Sequence, residues 1–312
     1  MQVAHATWWL GALVVVGTLA IGSYLVAALH ELGAAAVAGG GVRVGAGVAA
    51  PWRRAALLLR QERTRTEAPD PITWALAPAL YGGLAALALA VVPLSTTFAV
   101  ADFRAGIVVW GAAEALAIVA IFLHGWSPNS PFPLIGAYRF VAQALSYELL
   151  SMFVLIAAAL PAESLQLTDI VAAQRGLWNV VKQPLGLPLF LVVSLGVTFW
   201  GPLNLADSSD LAGGTSAEAS GGQRLSWQLA RCAMLFSFAA MGATAFLGGP
   251  LGPWLPGPVW LLAKTVVLLV VLVGLGHLLA RVHPERFVAV GWTLLLPLSF
   301  LDLLVAGLEA LP

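Results

Sequence analysis

Apolar runs long enough, or nearly long enough, to cross a lipid bilayer as helices occupy most of this 312-residue chain. Eight can be counted, at about Ala6–Leu29, Thr73–Leu94, Gly106–His124, Leu134–Leu160, Leu185–Trp200, Trp227–Leu247, Val259–Leu279 and Phe287–Leu308. A transmembrane helix needs about 20 apolar residues, and the fifth run is the shortest of the set. None shows the in–out alternation of an outer-membrane barrel strand, so helices that satisfy their own backbone are the reading. Charged residues make up only 10% of the chain against 60% hydrophobic, with a mean hydropathy of +0.91. The expected fold is all-α: one polytopic membrane domain over residues 1–312, with eight transmembrane helices and an amphipathic interfacial helix after the first.

The net charge is zero, but its distribution is uneven. Arg43, Arg53, Arg54, Arg60, Arg63 and Arg65 all lie between the first two runs. Arg139, Arg224, Arg281 and Arg286 lie in or beside the other odd-numbered loops, whereas Arg104, Arg175 and Lys182 occupy even ones. The positive-inside rule then makes the odd loops cytoplasmic and puts both termini outside. With no basic residue ahead of Arg43, the first run lacks a signal peptide's charged start and is expected to stay in place. The lone Cys232 cannot form an internal disulfide and reads as an apolar packing residue.

Few polar groups interrupt the apolar runs, and each needs a reason. Arg139, Gln143 and Tyr147 form one helical stripe, and Glu148 lies about 180° from Arg139. A helix that is polar on two sides belongs inside a bundle or beside a hydrated cavity. Glu148 reads either as a proton-relay carboxylate or as an acid neutralised by a buried arginine or by a proton. Arg139 reads as a partner for an acidic loop residue or as a headgroup anchor. For Glu114, Arg231, Lys264 and Asp302, the plain reading is pairing among themselves, and the sharper one is a relocated proton path. His30, His124 and His277 sit near run ends without metal-ligand spacing, so no metal site is expected.

Two polar segments stand out. Residues 51–65 interleave arginines with Trp52, Leu58 and Leu59 behind Pro51, which suits a basic helix at the cytoplasmic membrane surface or along a cleft beneath a soluble partner. Residues 201–226 hold the longest polar stretch, with Asp207, Asp210 and Glu218 among glycines and serines, and on composition alone pass as a flexible cytoplasmic loop. The run from Gly39 to Gly45 lacks phosphate-loop spacing and reads as tight turns.

A series of motifs then matches one family in order. Gly40-Gly41-Val42-Arg43-Val44-Gly45 is followed by the helix from Pro51 to Glu62 and by Leu76-Ala77-Pro78. The strongest stretch is Gly125-Trp126-Ser127, Leu134-Ile135-Gly136-Ala137-Tyr138-Arg139, Ala142-Gln143 and Ser146-Tyr147-Glu148. Asp169-Ile170-Val171, Gln183-Pro184, Gly248-Gly249, Lys264, Gly291-Trp292 and Leu296-Pro297-Leu298 complete the series. In these features the chain resembles the H subunit of NADH-quinone oxidoreductase, the quinone-site membrane subunit of respiratory complex I. It also departs from that family. The acidic loop motif is replaced by Val197-Thr198-Phe199-Trp200-Gly201-Pro202-Leu203-Asn204-Leu205, a helix Asp and Lys become Arg54 and Leu57, and a glutamate in the sixth run becomes Arg231. The pattern is that of a divergent paralogue with depleted acids.

The resemblance implies an inner-membrane subunit that forms the floor of a quinone cavity and joins a soluble redox arm to proton-translocating membrane subunits. Quinone would be the substrate, with no covalently bound cofactor, no redox chemistry in this chain alone and no nucleic-acid partner. It implies Arg43, Trp52 and Arg54 as quinone-cavity residues and Glu148, with Arg139, as proton-path residues. The basic helix and the 204–224 loop would dock the soluble arm. Alternatives are the anchor of an energy-converting [NiFe] hydrogenase and, in a different class, a stand-alone ion or solute transporter. The charge bias makes a direct prediction: reporters fused after Arg65 and at Pro312 should give opposite sidedness signals, and matching signals would overturn the eight-crossing reading.

Overall fold

The computed structural model describes residues 4–5, 8–39, 44–96 and 98–310. Met1, Pro312 and the Gly40–Arg43 turn lie outside the described residues. The long helices are α1 (Trp8–Val37), α2 (Val44–Arg60), α3 (Pro71–Ala90), α4 (Gly106–Trp126) and α5 (Pro131–Ala159). Short helices α6 (Leu167–Ala173) and α7 (Asn179–Lys182) lead into α8 (Gly186–Val197), and α9 (Gly221–Phe246) and α10 (Gly257–Leu278) follow. The final helix begins as α11 (Pro284–Val290), passes through a π turn at Gly291–Leu295 and continues as α12 (Leu296–Glu309). A two-residue parallel pairing joins β1 (Ala4–His5) to β2 (Phe98–Ala99).

Local chemistry sets several boundaries. α3 starts at Pro71 because the Asp70 carboxylate accepts the Ile72 and Thr73 N–H groups at 3.2 and 3.1 Å, while Pro71 has no N–H to leave unpaired. Those bonds, led by the Thr73 hydroxyl, hold the Asp70 carboxyl below the usual carboxylate range. α2 begins at Val44, ahead of Pro51, and ends at Arg60, so the basic residues Arg63 and Arg65 follow the helix. Pro51 sits inside α2, about two turns past its start, and α2 runs on through it.

α9 is the hub. Nearly every residue from Cys232 to Phe246 is buried, and α1, α3, α8 and α10 pack around it. The small residues Ala239, Ala240, Gly242, Ala243 and Ala245 let these neighbours approach closely, as membrane helix packing requires. A Cβ at Gly242 would come within 3.2 Å of Phe190 and Leu268. α5 packs against α4, α8 and α12.

Among the described residues, seven helices are long and apolar enough to cross a membrane. The fifth expected run is not one of them, because it folds as the 12-residue α8, too short to span the hydrocarbon alone. The chain still changes sides there. Gln183, just before α8, bonds to Ala157 near the end of α5, while the loop after α8 bonds to Arg139 near its start. Those two points are about 27 Å apart along α5. The irregular backbone at either end of α8 is tolerated because it is buried in protein rather than facing lipid.

Side-chain amides complete this broken crossing. Pro161 has no N–H for the Ala157 carbonyl, which instead accepts from Gln183 Nε2 at 2.9 Å. Asn179 Nδ2 donates to Ala158 O and to Ala245 O, at 3.1 and 2.9 Å. Gln174 inserts at the end of α9: its Nε2 donates to Thr244 O and its Oε1 accepts from Gly248 N, both at 2.9 Å, bridging a helical pair that no longer bonds directly. Gly248 (φ 72°) and Gly249 (φ 52°) make the left-handed turn that frees these groups. Lys264 then donates to the carbonyls of Leu247, Gly249 and Leu251 at 2.6, 2.9 and 2.6 Å, placing a cation at the negative end of α9. Replacing Gln174 by Leu should orphan two buried backbone groups and destabilise the protein by about 2–4 kcal/mol. Thermal unfolding of the detergent-purified protein checks this, and an unchanged midpoint would refute the bridging role.

Candidate functional site

The largest cavity, about 1320 Å³, opens between α1, α2, α9, α10 and the loop after α8. Its apolar wall includes Ala20, Ile21, Leu58, Leu59, Leu229 and Ala233. Tyr24 ties α1 to α2 through its hydroxyl on Val48 O at 2.5 Å and its ring beside Trp52 at 5.8 Å. Trp52 is otherwise exposed. Arg54 reaches from α2 to Glu31 on α1 at 2.7 Å, a partly solvated pair that fixes geometry more than it adds stability. Trp52 and Arg54, both cavity expectations, therefore line one cavity; Arg43 falls outside the described residues.

The inner polar end is built differently. Arg231 on α9 donates to Asp207 at 2.9 Å and to the Phe199 carbonyl at 2.8 Å, and its guanidinium lies 4.0 Å from the centre of the Phe199 ring. Asp207 also accepts from Thr215 Oγ1 at 2.5 Å and Ser216 Oγ at 2.9 Å. This buried pair is well surrounded by donors and acceptors, the condition under which desolvated charges are tolerated. Beside it His30 stacks on His277 at 4.8 Å. Distance along the sequence hid this pairing, since no spacing rule links residues 30 and 277.

The polar stretch that reads as a flexible loop is instead folded against the bundle. Arg139 donates to Ser208 at 2.9 Å and to Asp210 at 2.8 Å, which makes it the partner of an acidic loop residue. The Ser208 hydroxyl, and then Arg139, hold the Asp210 carboxyl below its usual range. That link is complete at neutral pH and weakens as pH falls through the lowered value. Gly136 and Gly214 permit the close contact, because a Cβ at either would collide with Ala206 O, at 2.6 and 1.7 Å. Ser220 then anchors the segment after α2, accepting from Thr64 N at 2.6 Å and donating to Glu62 O at 3.1 Å.

Glu148 lies on the other side of α5, away from this cavity. It sits near enough to Glu114 on α4 for the two charges to interact. Ser151 Oγ donates to Glu114 Oε2 at 2.6 Å, while Glu114 Oε1 and Glu148 Oε1 are buried without a partner. Two neighbouring carboxyls with free oxygens form a place where a proton could be held or passed. Nothing in the sequence joined Glu114 to Glu148; only its isolation in an apolar run marked it. Pairing among Glu114, Arg231, Lys264 and Asp302 does not occur. Each meets other partners instead: Ser151, Asp207, the α9 carbonyls and, for Asp302, the Gly186 N–H that starts α8. Tertiary neighbours supplied partners that the spacing of charges could not show.

A helical membrane bundle with a half-length crossing, a folded polar loop and a large cavity under a basic helix defines a polytopic membrane subunit. The model for the family described as NADH dehydrogenase matches residues 10–307. The first of two H subunits of the NADH-quinone oxidoreductases of Rhodopseudomonas palustris (strain HaA2) is 34% identical over 252 residues, covering 80% of this chain and 79% of that protein. The corresponding H subunit 1 of Geobacter metallireducens is 33% identical over 260 residues, covering 80% and 79%. The H subunit of the Granulibacter bethesdensis enzyme is 31% identical over 281 residues, covering 86% and 82%. The chain belongs to this family, as an H-type member.

Proposed function

We propose that the chain is the component of an NADH-quinone oxidoreductase that forms the floor of the quinone cavity and joins a soluble redox arm to proton-translocating membrane subunits. The 1320 Å³ cavity carries this reading. A lipid-soluble quinone needs an apolar passage ending in a few polar groups. Here α1, α2 and α9 supply the apolar walls, and Arg231, Asp207, His30 and His277 supply the polar end. Arg54 and Trp52 stand at the rim, on the basic helix that would face the soluble arm. The chain supplies binding and orientation; electron transfer belongs to cofactors on its partners. Membership of the family supports this division of labour. The cytoplasmic placement of α2 and of the loop after α8 belongs to the same proposal.

The Glu114–Glu148 pair is the proposed proton site. Several acids characteristic of the family are missing near the folded loop, and arginine cannot relay because it stays charged. Glu148 therefore works with Glu114 and fewer other carboxyls, which would leave proton coupling weaker or rerouted.

A photoreactive quinone analogue in the assembled complex should label α1, α2 and the start of α9; label confined to α4 or α12 would defeat the cavity reading. Glu148→Gln should lower proton uptake at least about tenfold while leaving most electron transfer. Measuring both rates on the same preparation decides it, and two unchanged rates would make Glu148 structural.

A further inference from the structure

His277 on α10 meets His30 on α1 at the cavity wall, their rings stacked with 25° between planes, and Trp200 packs edge-on against His30 at 5.3 Å. Gly33, one turn along α1, makes room for this arrangement. A Cβ there would lie 2.5 Å from His277 Cδ2, so a larger residue would displace the ring. The geometry is that of a built site on two helices, not of a side chain resting at a surface.

The hydrogen bonding fixes which ring atom carries the proton. His277 Nε2 lies 3.1 Å from the carbonyl oxygen of His30. A carbonyl only accepts, so Nε2 is the donor, and in the neutral ring Nδ1 must then be a lone-pair acceptor. Among the described residues Nδ1 has no hydrogen-bond partner, and it is not among the buried unpartnered atoms, so it is open to the cavity. His30 Nδ1, by contrast, is buried without a partner. Turning the His277 ring over would break its bond to His30, so the lone pair is the face it presents.

We infer that His277 is a positioning residue that recognises the reduced form of the cavity's ligand, accepting a hydrogen bond from a hydroquinone hydroxyl at Nδ1. This rests on the quinone reading of the cavity. An oxidised quinone presents carbonyl acceptors, which gain nothing from a lone pair. A hydroquinone presents O–H donors, which do. Discrimination here comes from hydrogen-bond polarity, since the two forms have nearly the same shape and apolar surface. The consequence is retention of product: the cavity holds hydroquinone more tightly than the quinone that replaces it.

The test uses the assembled complex without an electron donor and measures the binding of decylubiquinone and decylubiquinol under anaerobic conditions. His277→Phe keeps the ring packing against His30 and Gly33 and removes the acceptor. It should weaken decylubiquinol about tenfold and decylubiquinone less than about twofold. His277→Asn, which returns an acceptor oxygen near the Nδ1 position, should recover most of the lost affinity. Equal weakening of both compounds by His277→Phe, no weakening of either, or failure of His277→Asn to recover the hydroquinone would overturn the inference while leaving the quinone cavity intact. If the wild type binds neither compound, the quinone reading fails and this inference falls with it.

Discussion

The need to satisfy every backbone N–H and C=O away from water shapes this molecule more than any other constraint. Seven long helices meet it internally. The eighth crossing does not, because α8 is only 12 residues long and its flanks are irregular. Three buried amides, Gln174, Asn179 and Gln183, take up the freed carbonyls of α5 and α9, and Lys264 covers the last of them. With the short crossing held in this way, Trp200 and Phe199 are brought beside α9 and α10. The polar end of the cavity is assembled from that placement.

Charge follows the same logic. In low-dielectric surroundings an uncompensated ion is expensive, so each embedded arginine has a partner chosen by proximity in the fold. Arg231 takes Asp207, and Arg139 takes Asp210 and Ser208. Both arginines thereby pin the polar loop against the bundle, which turns a glycine- and serine-rich stretch into a fixed wall of the cavity. Carboxyls remain without full partners at Glu114 and Glu148, so a site suited to proton exchange is separated from the cavity by the body of α5.

The relation between sequence and structure is clearest element by element. The long helices were legible because unbroken apolar length has only one good solution in a bilayer, and α4, α9 and α10 lie within a few residues of where hydropathy puts them, with α9 beginning earliest of the three relative to its run. The basic helix was legible too, though its start at Val44 was not, since Gly45, Gly47 and Pro51 argue locally against a helix that packing against α1 makes favourable. A shortened fifth crossing was foreshadowed by the brevity of its apolar run, but the amides that rescue it gave no periodic signal.

The sequence by itself determined the class: an all-helical membrane chain with arginines gathered on alternate loops, set by hydrophobic length and charge cost alone. Motif order carried the family. What only the tertiary structure decided is who faces whom. Arg231 with Asp207, Glu114 with Glu148, and His30 with His277 come from segments distant in the chain, and their meeting depends on how helices pack around α9. Hydropathy reports the free energy of each segment in lipid, and carries no information about which neighbour a segment chooses. That choice rests on small residues that let helices approach and on polar groups that need one another once water is gone.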